Sequence, residues 1–186
     1  MQLSNETIRN SIIRSTLIHA VAVETASGAI LFLGHSGAGK STMASKVFDY
    51  WPTIADDIVC LAQSAVNQMW YVADGKKINI SRTRFFPLFS LIRIFQSSNA
   101  DIKSLTPLET CRHLTDSIFE IEIMKKVNRN IQRECFKITA DVARRYTGWQ
   151  LLATLDKETQ LILIENFKSK KIIPDRKSKS NSLEET

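Results

Sequence analysis

The segment Gly34-His35-Ser36-Gly37-Ala38-Gly39-Lys40-Ser41 constrains this chain more than any other part of it. Three glycines in six positions suit neither a strand interior nor a helix interior, because each loses more backbone freedom on ordering than any other residue. They suit a tight turn that must visit φ > 0. The flanks define that turn. Residues 29–33 form an apolar run, and Met43, Val47 and Trp51 repeat at helical spacing from Lys40 up to Pro52. A strand, a glycine-rich turn and a helix in that order direct several backbone N–H groups into one concavity. The chemistry that fits such a concavity is a phosphate group.

The pattern G-x-x-x-x-G-K-[ST] assigns each residue a role. Gly34, Gly37 and Gly39 shape the loop, while His35, Ser36 and Ala38 supply backbone between them. Lys40 adds a cation for the β and γ phosphates. Ser41 and Thr42 open the helix, with the Ser41 hydroxyl available to Mg²⁺. The expected ligand is a nucleoside triphosphate, with ATP and Mg²⁺ as the expected cofactors.

Further along, residues 17–24 read as a strand joined to 29–33 by a turn at Ser27-Gly28. Residues 58–61 and 88–95 read as further strands, and Asp74-Gly75 predicts a hairpin between 69–72 and 77–80. Thr106-Pro107-Leu108-Glu109 combines a capping box with proline at the first helical position, predicting a helix that buries Leu108, Cys111, Leu114 and Ile118. Ile131, Cys135, Ile138 and Val142 share a helical face. Residues 149–155 and 160–167 are expected to close the sheet as a strand pair. The fold class that results is α/β, a mixed strand-rich core with a few helices. One domain is expected over residues 1–167, followed by a basic tail at 168–186 that is poor in bulky apolar residues and expected to be disordered.

Asp56-Asp57 follows the loop and precedes Ile58-Val59. Neighbouring side chains of a strand point to opposite faces, so one carboxylate could face a metal and the other a reacting hydroxyl. Phosphoryl transfer uses both functions. Two aspartates after Pro52 would otherwise read as a solvated turn.

With these residues in view, His19-Ala20, the stretch GHSGAGKST and the sequence ADDIV resemble the catalytic domain of HPr kinase/phosphorylase. That class phosphorylates a serine on a carrier protein and shares its fold with ATP-dependent phosphoenolpyruvate carboxykinase. The resemblance extends through FFPLFSLIRIF and SLTPLETCRHL and spans roughly residues 17 to 155. It implies a P-loop kinase fold with Asp56 as general base, Asp57 as metal ligand beside Ser41, and His19 near the transferred phosphate. The residues alone leave the two aspartates exchangeable, and they leave His19 readable as a strand histidine satisfied by the core. Arg82 and Arg84 are candidate cations that read better as surface charge. No counterpart of the Arg- and Gly-rich loop of that class is found, so reverse transfer and recognition of HPr are not implied. The chain looks like a small stand-alone relative, a group that includes kinases of ribosomal peptides and of small hydroxyl compounds.

The expected function is transfer of the ATP γ-phosphoryl group to a serine-type hydroxyl of a peptide, protein or small molecule. An ATP-binding regulatory module with little catalysis is the alternative, and the intact aspartate pair favours the enzyme. A conventional nucleotide kinase fits less well, for want of an evident arginine-rich lid. A net charge of +6 comes partly from the tail and partly from residues 125–145. No nucleic-acid motif accompanies it, so no nucleic-acid partner is expected. Three widely spaced cysteines and the lack of a long apolar run fit a cytoplasmic protein with no membrane partner. A homo-oligomer is compatible with the sequence.

Overall fold

Strands β1 (Ile12–Thr25) and β2 (Gly28–Leu33) form the expected hairpin, antiparallel with Ala20 opposite Leu33 and Thr25 opposite Gly28. Gly28 sits at φ +131°, and a Cβ there would meet the Pro87 carbonyl oxygen at 2.4 Å, so only glycine fits the corner. The computed structural model describes residues 3–47, 49–76, 82–121, 124, 126–154 and 157–168. The second strand expected at 77–80, Leu155 and the basic tail beyond 168 lie outside the described residues.

Among the described residues the remaining strands are β3 (Thr53–Ser64), β4 (Trp70–Asp74), β5 (Phe86–Gln96), β6 (Asp101–Ser104) and β7 (Gly148–Ala153). They form a mixed seven-stranded sheet in the order β2-β1-β3-β4-β5-β7-β6, and β2 also pairs with β5 in parallel. The pairings therefore close a circuit from β1 through β2, β5, β4 and β3 back to β1. The closure is slight at β4–β5, where only Tyr71–Pro87 and Val72–Phe86 pair.

Helices α1 (Asn5–Asn10), α2 (Lys40–Lys46), α3 (Pro107–Phe119), α4 (Arg129–Arg145) and α5 (Lys157–Lys168) complete the described structure. Both faces of the central strands are covered, which explains their nearly continuous apolar sequence. Ile18, Ala20 and Ala22 of β1, with Leu31 and Leu33 of β2, pack against Leu114 and Ile118 of α3 and Ile138 and Val142 of α4. The alternating residues Val21, Val23, Ile30 and Phe32 pack against Met43 and Val47 beside α2 and Leu163 and Phe167 of α5. Among the described residues no helix is long and apolar enough to cross a membrane.

Two sequence expectations fail here for physical reasons. Residues 160–167 lie in helix α5, not in a closing strand. Thr159, Leu163 and Phe167 are buried at four-residue intervals, and Phe167 meets Trp51, Phe89 and Trp149 edge-on. That aromatic socket needs a single helical stripe. Its β7 partner instead runs parallel to β5 and antiparallel to β6. In α3 the capping box forms as expected, yet Leu108 is 80% exposed. The helix is pressed onto Gly148 at Thr110, where a Cβ on the glycine would come within 2.2 Å of the threonine hydroxyl. That close approach centres the buried face on Thr110, Leu114, Ser117 and Ile118, far around the helix from Leu108. On the face that Ile131, Cys135, Ile138 and Val142 share, the last three are buried and Ile131 is 44% exposed.

A charge network ties α4 to the sheet. Asp141 accepts from Arg14 at 3.1 Å, from Arg145 at 2.9 Å and from the Trp70 indole at 3.0 Å. Burial opposes its ionisation, but the hydrogen bonds from Arg145 and Trp70 outweigh it and hold the carboxyl below the usual range. A depressed carboxylate contributes stability above its unfolded pKa and loses it as pH falls through the folded value. Asp141→Asn should therefore lower unfolding free energy at pH 7 by about 3 kcal/mol and flatten the acid side of the stability curve. Leu108→Ala should change it by less than about 0.5 kcal/mol. Denaturant unfolding from pH 7 down to pH 3 measures both.

Candidate phosphate site

Strand β2 ends at Leu33, held by Ala20 on one side and Arg93 of β5 on the other. The chain then turns through residues 34–39 into α2. Gly37 and Gly39 both lie in the left-handed region, at φ +81° and +93°. A Cβ on either would meet nothing within 4 Å, so these two glycines serve backbone conformation, not space. Gly34 differs: a Cβ there would approach that of Ala38 to 2.8 Å. The loop is braced by the Ala38 N–H donating to the His35 carbonyl and by the Gln96 amide donating to the Gly37 carbonyl, each at 3.0 Å. Gly39 caps α2 without a side-chain hydrogen bond to its first N–H groups.

Lys40 is buried, and its ammonium donates to the carbonyls of Gly34 at 2.6 Å and His35 at 3.1 Å. Its stem lies inside the fold while its head remains on the cavity wall. Burial lowers its pKa, against the opposing pull of Glu120, Asp57 and Asp56. An ammonium held in this way is poorly solvated and well placed to gain from a polyanion.

The aspartates lie within β3, with Asp56 opposite Val21 and Asp57 opposite Ala20. The expectation that they face opposite sides of a strand is not met, since both line the same cavity. Asp57 is at φ +83°, an uncommon conformation for a non-glycine residue, and that twist interrupts the usual alternation. Such strain is characteristic of functional positions. The Ser41 hydroxyl donates to Asp56 at 2.8 Å. Asp57 pairs with Lys76 at 2.9 Å and lies 3.5 Å from His19 Nε2. The hydrogen bond from Lys76 holds the Asp57 carboxyl below the usual range, and Asp57 raises Lys76 in return.

His19 is not a core histidine. Its Nδ1 is hydrogen-bonded to Glu120, the residue that ends α3, and the other oxygen of Glu120 lies 2.6 Å from His35 Nδ1. One carboxylate thus joins β1, the glycine-rich loop and α3. Burial works to raise the Glu120 pKa, but the two histidines outweigh it and hold the carboxyl low. Beneath the loop, Arg93 is buried with its Nε and Nη1 unpartnered among the described residues, and burial lowers its pKa.

His19, Ser36, Gly37, Gly39, Lys40, Ser41, Thr42, Asp56 and Asp57 share the wall of one polar cavity of about 320 Å³. Gly34, His35 and Ala38 belong to the same loop but do not line this cavity. Arg84 faces elsewhere, pairing with Glu24 at 3.1 Å and stacking on Phe86. A further cation beside the aspartates is Lys76, which the sequence reading did not single out. A signal for it existed, because the Asp74-Gly75 turn carries the chain back along β3 and Gly75 N–H bonds to Ile58. Glu120 and Arg93 had no such signal, since they reach the site only through helix docking and sheet order.

No protein-family model and no curated protein matches the chain. Among solved structures it is similar to an Hpr(Ser) kinase/phosphatase from Coxiella burnetii, at 11% sequence identity and a TM-score of 0.37. The similarity covers 82% of this chain and 96% of that one. A likeness at that level is distant, and the functional reading rests on the site itself.

Proposed function

We propose that this chain is a phosphotransferase that moves the γ-phosphoryl group of MgATP to a hydroxyl acceptor. The observation that carries this reading is one polar cavity that joins the glycine-rich loop and Lys40 to the carboxylates Asp56 and Asp57, with Ser41 bonded to Asp56 at 2.8 Å. Binding alone needs the loop and the lysine. Two carboxylates and a histidine beside them supply what transfer needs in addition.

The donor set fits Mg²⁺. Among the described residues no cluster of three or more His, Cys, Asp or Glu side chains could hold a metal. A Mg²⁺ ion does not require one, because it is commonly held by one or two carboxylates together with phosphate oxygens and water. Ser41 and Asp56 would hold it here, and when bound it neutralises charge on the phosphates. This exchanges the roles that family resemblance suggests. Asp57 then orients the acceptor hydroxyl, next to His19 and Lys76. The acceptor oxygen forms a bond to the γ-phosphorus as the bond from that phosphorus to the ADP oxygen breaks, and the hydroxyl proton passes to Asp57 as charge leaves the acceptor. A carboxylate kept ionised by Lys76 is a weak base but a strong hydrogen-bond acceptor, which suits a transition state that asks mainly for positioning. Lys40 compensates charge on the donor.

Lys40→Met keeps the buried stem and removes the charge. It should weaken MgATP binding by roughly ten- to a hundredfold, the loss expected for a charge-assisted contact, with little change in melting temperature. Calorimetric titration showing equal affinity in the variant and the wild type would remove the phosphate-loop reading.

The two aspartates should separate by phenotype. Asp56→Asn should raise the Mg²⁺ concentration needed for ATP binding and recover part of its activity at high metal. Asp57→Asn should bind MgATP normally and lose transfer by about a hundred- to ten-thousandfold. Exchanged phenotypes would return the roles to those of the family resemblance. Tight MgATP binding with no transfer to any hydroxyl acceptor would favour the regulatory module.

A further inference from the structure

Strand β1 is longer than its hairpin partner. β2 pairs it from Thr25 back to Ala20 and then leaves as the phosphate loop. From His19 back to Arg14, β1 pairs with β3 on one side, with a bulge at Ile13 before Ile12 pairs again, and among the described residues no strand pairs its other edge. An open edge of this length is normally guarded by proline, by lysine or by a covering element. This one contains no glycine or proline. Its charged residue, Arg14, is engaged by Gln63 at 2.6 Å and Asp141 at 3.1 Å.

Beside that stretch lies another cavity, of about 590 Å³ and predominantly apolar. Thr16 and Leu17 line it from β1, Val127, Ile131 and Ile138 from α4 and the approach to it, and Cys60 from β3. The Cys60 thiol is pushed up to about 11 by burial, so the wall suits binding and not thiolate chemistry. Ile13 and Ile131 leave further apolar surface exposed at 55% and 44%. Leu17, in this cavity, and His19, in the phosphate cavity, are two positions apart on one strand, about 7 Å.

We infer that the acceptor is an extended peptide segment that adds to the open edge of β1 at residues 14–18, sets apolar side chains in the cavity under α4, and presents its hydroxyl beside His19 and Asp57. The inference rests on the phosphotransferase reading and names the substrate class of that site. Main-chain hydrogen bonds to β1 provide alignment, and the pocket for alternate side chains provides selection, as in other cases of strand addition. Continuity of the edge with the phosphate cavity decides the occupant: a strand lying there runs into the transfer site, which a small alcohol would not need. The spacing sets a rule, with apolar residues two to four positions from the acceptor hydroxyl on one side of it.

The test uses the full chain, MgATP and a degenerate peptide library with one central serine. Phosphorylated products should be enriched in apolar residues two to four positions to one side of the serine. For a selected peptide, N-methylation should reduce transfer at least tenfold at alternate backbone positions and little at those between, the period of a strand. Ile131→Glu, at an exposed position on the cavity, should raise the peptide KM at least tenfold and leave kcat and the ATP KM unchanged. No apolar selection, no period in the N-methyl scan, or an unchanged peptide KM in Ile131→Glu would each overturn the inference. So would a wild-type dimer that Ile131→Glu dissociates, which would assign the edge to a second copy. Transfer to a free small alcohol but to no peptide would overturn this inference and leave the phosphotransferase reading intact. MgATP binding without transfer to any acceptor would remove both.

Discussion

The double pairing of β2 is the constraint on which the rest of the site depends. Antiparallel bonds to β1 and parallel bonds to β5 hold its last residue, Leu33, from both sides. The glycine-rich turn therefore starts from a fixed point and a fixed direction. Glycine residues at φ > 0 gain nothing from their freedom unless the ends of the loop are held, because a loop free at its origin would collapse onto its own carbonyls. Here β2 holds one end, and Met43 and Val47, packed on the sheet, hold the other.

Charge is distributed around that fixed loop with a consistent logic. Lys40 is desolvated and donates to two backbone carbonyls, Arg93 has two nitrogens without a partner among the described residues, and the carboxylates Asp56, Asp57 and Glu120 act on the charge of Lys40. Buried cations of this kind cost free energy in the isolated protein, and an anion would relieve the cost. Glu120 has a mechanical part as well. By meeting His19 and His35 together it couples the end of α3 to the loop, so helix packing and loop position are not independent.

The same geometry that frees the loop leaves an edge exposed. β2 cannot both continue along β1 and turn away to form the glycine-rich loop. The half of β1 that no other described strand pairs on that side is thus a direct consequence of the loop, and it lies beside the polar cavity. α4 lies over the adjoining face through Cys135, Ile138 and Val142, but its first turns, near Ile131, stand off from the strand and leave the apolar cavity between them.

Local chemistry accounts for what was legible in the chain. The turn at Gly28, the strand–loop–helix order around Gly34 to Ser41 and the capping box at Thr106 were legible because the residue types that form them lie within a few positions of one another. Short apolar runs were less legible. Residues 160–167 suit a strand or a helix, and only the aromatic socket of Trp51, Phe89 and Trp149 decides for the helix. Leu108 looked buried by periodicity until the close approach of Thr110 to Gly148 set the face of α3. The meeting of Glu120 with His19 and His35, the placing of Lys76 beside Asp57, and the turning of both aspartates into one cavity were decided by tertiary structure. Each joins groups that are distant in sequence or depends on a backbone angle that neighbours impose, and no local preference of the chain encodes either.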